Sequence, residues 1–205
     1  MASNPERTSR PRGRPPGHRP AQRSRLLDAA SRLLASRAPQ DLTLRHVAQS
    51  AGVTPALAHY YFGDRDGLVE TLLSERVAPA LTELATAALA RAEHPLQALT
   101  FLMQKTSALL ASDPLARQCM WLPLPAATKL RGQLRNALHQ LLVDAQERRV
   151  LRTDLAPEYL ATSLLALALF PFLDTPAGAA LPARQVSQLT LQHVALLRDG
   201  ILHTG

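Results

Sequence analysis

A glycine between two short apolar segments constrains this fold more than any other feature of the sequence. The stretch LTLRHVAQSAGVTPALAHYYF, residues 42–62, places Gly52 after one amphipathic run and just before Thr54 and Pro55. Glycine adopts the left-handed backbone that a tight turn after a helix requires, and proline at the first helical position gives up no hydrogen bond. The pattern predicts two short helices joined by a tight turn, the first capped by Thr43 and the second by Thr54.

The second of these helices ends in three consecutive aromatic residues, Tyr60, Tyr61 and Phe62. A helix directs three successive side chains to three different sides, so they cannot all face one core. We expect Phe62 to pack inward and Tyr60 to point away from the protein.

The rest of the chain shows helical spacing of its apolar residues, with proline and glycine between the segments. Aromatic residues make up only 4% of the chain, and alanine and leucine dominate, which favours helix over strand. We predict an all-α fold of about nine helices. The predicted helices are one from Ala21 to before Pro39, the pair described above, a long one over 65–91 with a bend at Pro79, and others over 95–112, 114–121, 126–150, 157–172 and 182–197.

These elements divide into three predicted parts. Residues 1–20 lack an apolar period and are expected to form a flexible basic arm. Residues 21–75 are predicted to form a three-helix, helix-turn-helix DNA-binding domain. Residues 76–205 are predicted to form a larger helical domain.

Positive charge is concentrated in the first 25 residues. This segment carries seven arginines and one acid, so it holds +6 of the formal net charge of +7. Such a basic tail on a nearly neutral body indicates a polyanionic partner such as nucleic acid, although a plain solvated tail has the same composition. Within it, the sequence PRGRP places Arg12 and Arg14 as candidates for the narrow minor groove of an A·T tract.

In a helix-turn-helix pair the second helix enters the major groove and the first crosses the DNA backbone. The small or polar N-terminal end of the second helix is the candidate base-reading surface, and residues around both helices are candidates for phosphate contacts. The predicted DNA-binding residues are Thr43, Arg45, Thr54, Pro55, Ala56, Leu57, His59, Tyr60 and Arg65, together with Arg12 and Arg14 of the arm.

The stretch RLLDAASRLLASRAPQDLTLRHVAQSAGVTPALAHYYFGDRDGLVETLL, residues 25–73, resembles the N-terminal domain of the TetR family of transcriptional regulators. The chain departs from the usual pattern at His59, where the family has Tyr, and at Arg65, where it has Lys. The resemblance implies a homodimer on a palindromic double-stranded operator. It also implies a C-terminal ligand pocket and a four-helix dimer interface built from the last two long helices of each subunit.

The apolar segment 159–173 cannot lie on the surface of a monomer, which is consistent with such a dimer. The resemblance places the pocket for a small organic effector among the middle helices. The distinctive side chains there are the pocket candidates Phe101, Met103, Cys119, Met120 and Trp121, and each of them is equally compatible with an ordinary core position.

Other functional classes find less support in the sequence. There is no catalytic motif and no metal-ligand spacing of histidines, so we predict neither an enzyme nor a cofactor. The start has no apolar segment and no apolar run reaches the ~20 residues of a membrane span, so we expect a cytoplasmic protein without a membrane partner. The predicted function is a ligand-released repressor. An activator, an architectural DNA-binding protein without an effector, and a helical carrier of apolar molecules stay open as alternatives.

Overall fold

The computed structural model describes residues 18–172 and 182–201, and these ranges contain no β-strand. The all-α prediction is confirmed. The arm residues Arg12 and Arg14 lie outside the described residues. The ten α-helices of the described ranges are α1 (His18–Leu34), α2 (Leu44–Ala51), α3 (Pro55–Phe62), α4 (Arg65–Leu72), α5 (Ala78–Leu89), α6 (Pro95–Ser112), α7 (Pro114–Cys119), α8 (Pro125–Glu147), α9 (Pro157–Leu169) and α10 (Ala183–Ile201).

The first three helices pack around a small shared core. Helix α1 contacts both α2 and α3, and α2 contacts α3. Each helix contributes the apolar face that its spacing predicts, because residues three and four apart share one side of a helix. The buried residues are Leu26, Leu27, Ala30 and Leu34 of α1, Leu44, Val47 and Ala48 of α2, and Ala58 and Phe62 of α3.

Gly52 forms the predicted turn between α2 and α3. Its backbone is left-handed, with φ of 67° and ψ of 35°, and its N–H donates to the carbonyl oxygens of Ala48 and Gln49. These bonds satisfy carbonyl groups that the end of a helix otherwise leaves without partners. A side chain with a Cβ would strain this backbone, so the turn fixes the angle at which α3 leaves α2.

The two threonines that precede α2 and α3 differ in the structure. The Thr43 hydroxyl accepts a hydrogen bond of 3.2 Å from the His46 backbone N–H, which confirms Thr43 as a cap. Thr54 occupies the corresponding position before α3, but its side chain makes no capping hydrogen bond. The prediction is therefore correct in placing Thr54 at the N-cap position and wrong in expecting its side chain to cap the helix. The Thr54 side chain stays exposed beside Pro55.

This difference provides a stability test with a matched control. We expect Thr43→Ala to lower the free energy of unfolding by about 1 kcal/mol, because the helix loses a capping acceptor. Thr54→Ala removes no capping bond and is expected to change it by no more than a few tenths of a kcal/mol. Urea denaturation followed by circular dichroism measures both, and equal losses would show that the hydroxyl group of Thr43 is not what stabilises α2.

The long helix predicted over 65–91 is two helices, α4 and α5, separated by a π-helical turn at Leu73–Val77. Because Pro79 has no N–H, the carbonyl four residues earlier has no helical partner, and the helix widens in the turn that precedes the proline. The turn is attached to α1, since Arg23 donates to Glu75 at 2.8 Å and Arg76 donates to Asp28 at 2.6 Å. The irregularity associated with Pro79 therefore lies in the π-helical turn before it.

The C-terminal helices form a second layer that is hydrogen-bonded to α1 and α4. Helix α8 packs against α5, α6 and α9, and α6 also contacts α10. Two long-range hydrogen bonds connect this layer to the N-terminal helices. The Gln118 side-chain amide donates to the Leu34 carbonyl at the end of α1, 2.6 Å away, and the Ala126 N–H at the start of α8 donates to the Glu70 carboxylate at 3.0 Å.

Candidate nucleic-acid interface

The N-terminal end of α3 faces solvent. Thr54, Pro55 and Ala56 are exposed, whereas Ala58 is fully buried and Phe62 is 7% exposed. The helix therefore presents one end outward while its other face is fixed to α1 and α2. Small exposed side chains on a rigidly held helix allow the close approach that entry into a groove requires.

The three aromatic residues at the end of α3 separate as expected. Tyr60 is 72% exposed, and Phe62 packs in the core. Tyr61 is half-buried between them, with its ring in edge contact with Tyr60 at a centroid distance of 5.3 Å. The Tyr60 hydroxyl is thus held on the same exposed surface as the N-terminal end of α3 by packing of its ring against Tyr61.

A concave surface joins the start of α1 to the start of α3. This open pocket of about 330 Å³ is lined by Gln22 of α1, by Leu57 of α3 and by the turn residues Gly52, Val53 and Thr54. The basic arm enters the fold at α1, only one helical turn before Gln22. The attachment point of the arm therefore lies beside the candidate reading helix.

The charged and polar candidates at the edge of this surface differ in how freely they can contact a phosphate. Arg45 is exposed on α2. Arg65 donates through its Nε and Nη2 atoms to the neighbouring Asp66 at 2.8 and 2.6 Å. The start of α4 also carries the Asp64 carboxylate, which accepts from the Gly67 N–H at 2.8 Å. A phosphate at this helix start would have to compete with two carboxylates.

Gly67 is a structural residue of the interface that the sequence analysis did not identify. A Cβ on Gly67 would lie 2.2 Å from the Phe62 carbonyl oxygen, far inside van der Waals contact. Only glycine lets the first turn of α4 approach the end of α3 this closely. An isolated glycine inside a helical pattern is the sequence signal for such an approach.

Arg23 also has a role that the sequence analysis missed, because it was counted with the free arginines of the basic segment. Its guanidinium bonds to Glu75 and lies 5.7 Å from the centre of the Phe62 ring. The hydrogen bond from Arg23 lowers the pKa of the Glu75 carboxyl, and the same bond raises the pKa of Arg23. Because the lowered pKa belongs to the folded state, this small stabilisation is present at neutral pH and is lost as the pH falls.

Comparison with known proteins identifies this arrangement. The sequence profile of the family described as "Bacterial regulatory proteins, tetR family" matches residues 26–72, which run from α1 to the end of α4. These N-terminal helices therefore match the TetR family.

A curated relative supports this assignment over the same region. The HTH-type transcriptional regulator BetI of Brucella anthropi is 39% identical over 79 residues, which are 38% of this chain and 40% of that protein. BetI of Brucella suis is 47% identical over 53 residues, 26% of this chain and 27% of that protein. The similarity to these TetR-family relatives thus covers less than half of their length.

Solved structures extend the likeness of fold to the C-terminal helices. NalD of Pseudomonas aeruginosa, described as the secondary repressor of a multidrug efflux pump, aligns with a TM-score of 0.69 at 20% identity over 91% of this chain and 100% of that chain. AibR, solved with isovaleryl coenzyme A and operator DNA, aligns with a TM-score of 0.63 at 14% identity over 85% of this chain and 97% of that chain. The likeness of fold therefore extends over most of the chain.

The five pocket candidates of this chain all belong to the apolar core or pack against it. Met103, Cys119 and Met120 are buried, and Phe101 and Trp121 are partly buried. The Arg91 guanidinium covers the Phe101 ring at 4.2 Å from its centre, which places that ring at the edge of the core. Burial raises the pKa of the Cys119 thiol to about 12, so it is not a reactive thiolate at neutral pH.

Some buried polar atoms of the middle region have no hydrogen-bond partner within the described part of the chain. Among them are the indole N–H of Trp121 and the hydroxyl of Thr106 on α6, a residue that the sequence analysis did not select. A buried polar group without a partner is costly, so such groups mark positions where a ligand can bind.

The described ranges contain neither a candidate metal site nor a candidate membrane-spanning helix. No cluster of three or more His, Cys, Asp and Glu side chains there has the arrangement of a metal site. No described helix is both long enough and apolar enough to span a membrane.

Proposed function

We propose that this chain is a transcription regulator that binds a double-stranded DNA operator as a homodimer, represses from that site, and is released by a small organic effector. The observation that carries this proposal is the outward N-terminal end of α3, with Ala58 and Phe62 buried behind it. The family match over α1 to α4 supports the same role. We assign residues 21–75 to DNA binding and residues 76–205 to effector binding and dimerisation.

The proposed DNA contacts divide into two groups. The N-terminal end of α3 reads base edges in the major groove, because its exposed side chains are small. The surrounding polar side chains contact phosphates and fix the orientation of that helix. The base-reading residues are Thr54, Pro55, Ala56 and Leu57, and the phosphate-contacting residues are Thr43, Arg45, His59, Tyr60 and Arg65.

Thr43 keeps a donor for this role, since its hydroxyl oxygen accepts from the His46 N–H while its own hydrogen is free to point outward. Arg65 can engage a phosphate once its guanidinium turns from Asp66, because that exposed ion pair contributes little on its own.

We also propose that Arg12 and Arg14 of the arm bind the minor groove next to the reading helix. Support comes from the place where the arm joins the fold. Helix α1 begins at His18, and Gln22, about 6 Å further along this helix, lines the same concave surface as Thr54. An arm that leaves the fold at this point would lie next to the adjacent groove, as the arms of homeodomains do.

Deletion of residues 1–17, which leaves α1 intact, is expected to weaken operator binding and to flatten its salt dependence. The slope of log K against log salt should fall by about 0.9 for each phosphate that the shortened protein no longer neutralises. Gel-shift titration at several salt concentrations measures both quantities. An unchanged slope in the shortened protein would exclude a role for the arm. The double substitution of Arg12 and Arg14 by glutamine separates the minor-groove motif from the remaining charge of the arm.

The proposed dimer forms through α9 and α10. Three large hydrophobic side chains on this part of the chain are strongly exposed in the single subunit, Tyr159, Phe170 and Leu191. One face of α9 packs inward through Ala161, Leu164 and Leu165. Exposed apolar side chains grouped on the last elements of a chain are typical of a subunit interface.

The proposed effector site lies among α6, α7 and α8. Its five residues are Phe101, Met103, Cys119, Met120 and Trp121, and the unpartnered indole N–H of Trp121 supports a ligand that carries a hydrogen-bond acceptor. The bonds from Gln118 to Leu34 and from Ala126 to Glu70 connect α7 and α8 to the DNA-binding helices. An effector that binds better when these helices are displaced would change the spacing of the two reading helices.

Selection of bound duplexes from a random pool, repeated with candidate effectors, tests the proposal. The expected product is a palindrome whose half-sites are a multiple of about 34–36 Å apart, with retention abolished when an effector is present. Retention without sequence preference would instead indicate an architectural DNA-binding protein. Effector binding without any DNA retention would indicate a carrier of apolar molecules.

A further inference from the structure

The last turn of α3 is closed by a reciprocal pair of hydrogen bonds between His59 and Gly63. The Gly63 N–H donates to the His59 carbonyl at 2.9 Å, and the His59 ring bonds through Nδ1 to the Gly63 carbonyl, also at 2.9 Å. Gly63 adopts a positive φ of 72° in this arrangement. The ring thus caps the end of the candidate reading helix.

This contact decides which nitrogen of His59 carries a hydrogen. A carbonyl oxygen only accepts, so Nδ1 must be the donor. In the neutral ring the remaining nitrogen, Nε2, then has no hydrogen and can only accept. Because a phosphate oxygen also only accepts, the neutral ring cannot donate to DNA without giving up its bond to Gly63.

We infer that His59 contacts a DNA phosphate only as the doubly protonated imidazolium, so that operator affinity falls as the pH rises through the range in which this ring loses its proton. The inference rests on the proposed DNA-binding function and on the assignment of His59 to the phosphate-contacting surface. The cation keeps its Nδ1 bond to Gly63 and adds an Nε2–H that points a positive donor at the backbone. A positive charge is also favourable at the C-terminal end of a helix.

The carboxylates on the elements packed against α3 are engaged by other groups. Helix α3 packs against α1, α2 and α4. The titratable and charged side chains on these elements and the connecting residue are His18, Arg19, Arg23, Arg25, Asp28, Arg32, Arg45, His46, Asp64, Arg65, Asp66 and Glu70. Each carboxylate among them has another partner, since Asp28 binds Arg76, Asp64 binds the Gly67 N–H, Asp66 binds Arg65 and Glu70 binds the Ala126 N–H.

The experiment measures the salt dependence of binding at two pH values with the full-length protein. The probes are the duplex recovered by selection and a scrambled duplex of equal length, at about pH 5.5 and about pH 8, on either side of the usual histidine range. For the wild-type protein, the slope of log K against log salt should be steeper at the lower pH by about 0.9 per protomer. Affinity at fixed salt should be about tenfold higher per protomer.

Three variants assign this response to His59. His59→Gln stays neutral and should show the shallow slope at both pH values, whereas His59→Arg stays charged and should show the steep slope at both. His46→Gln removes another exposed histidine of the same domain and should keep the wild-type response. This set separates one ring from the other titrating groups without relying on a loss of binding.

The outcomes are distinct. A pH-independent slope in the wild-type protein, or a response that survives in His59→Gln, overturns the inference while leaving DNA binding in place. If the pH response is lost in His46→Gln but not in His59→Gln, the response belongs to His46, and the inference is overturned as well. Absence of binding to either duplex at both pH values is a failure of the proposed function itself.

Discussion

Substitution of Ala56 by glutamate is expected to weaken operator binding at least about 100-fold while leaving the protein folded. Ala56 is the second residue of α3 and is exposed. A carboxylate at this position stabilises the helix through its interaction with the positive N-terminal end. The same charge would face the phosphates and base edges of the groove, where like-charge contacts cost several kcal/mol. Gel-shift or fluorescence-anisotropy titration measures the loss.

Two control variants separate the charge from its location. Ala56→Gln adds a side chain of similar size without charge, and it should reduce affinity much less than the glutamate does. Ala108→Glu makes the same change at an exposed position of α6, outside the DNA-binding helices, and should leave affinity within a factor of about two or three. Binding of Ala56→Glu at the wild-type level would show that the start of α3 does not face DNA, and the proposed reading surface would then be wrong.

The local features of the DNA-binding helices were accessible from the sequence because each depends on residues close together along the chain. Gly52 alone signals the left-handed turn, and Thr43 alone signals the start of α2. The inward position of Phe62 follows from the geometry of three successive aromatic residues on one helix. These predictions needed no knowledge of what packs against the segment.

The features that sequence reasoning missed depend on residues far apart along the chain. Arg23 pairs with Glu75 across 52 positions, and Gln118 reaches the Leu34 carbonyl across 84. No spacing rule connects such residues, so Arg23 was counted only with the other arginines of the basic first 25 residues. Thr54 shows a different limit, because its residue type permits a cap but does not determine the rotamer that would make one.

The proposed switch depends on how the two layers are joined. The two long-range bonds attach the ends of α7 and α8 to α1 and α4, and α1 and α4 both contact α3. A shift of either C-terminal helix is thus transmitted to elements that support the reading helix. The coupling requires the two reading helices to be held at a defined distance, which a single subunit does not provide. In the proposed dimer, the interface between subunits is therefore as important for operator binding as the surface of α3.

Phe170→Glu is expected to convert the proposed dimer into a monomer. The Phe170 side chain is 67% exposed directly after the last residue of α9, and Tyr159 in the first turn of that helix is strongly exposed as well. Burial of a carboxylate without a partner in an apolar interface costs several kcal/mol, so the dissociation constant of the dimer should rise at least about 100-fold. Sedimentation velocity across a range of concentrations measures the change.

The matched control is Tyr60→Glu, which places the same charge on the strongly exposed aromatic residue of the DNA-binding helices. Tyr60 is 72% exposed on α3, so the Tyr60→Glu protein should remain a dimer and lose DNA binding. The Phe170→Glu protein should instead lose the dimer. It should therefore also lose the preference for a palindrome over an isolated half-site. Because the two exposed aromatic surfaces serve different partners, each variant should abolish one interaction directly. A Phe170→Glu protein that stays dimeric would exclude the end of α9 from the interface, and a Tyr60→Glu protein that dissociates would assign the exposed end of α3 to contacts between subunits.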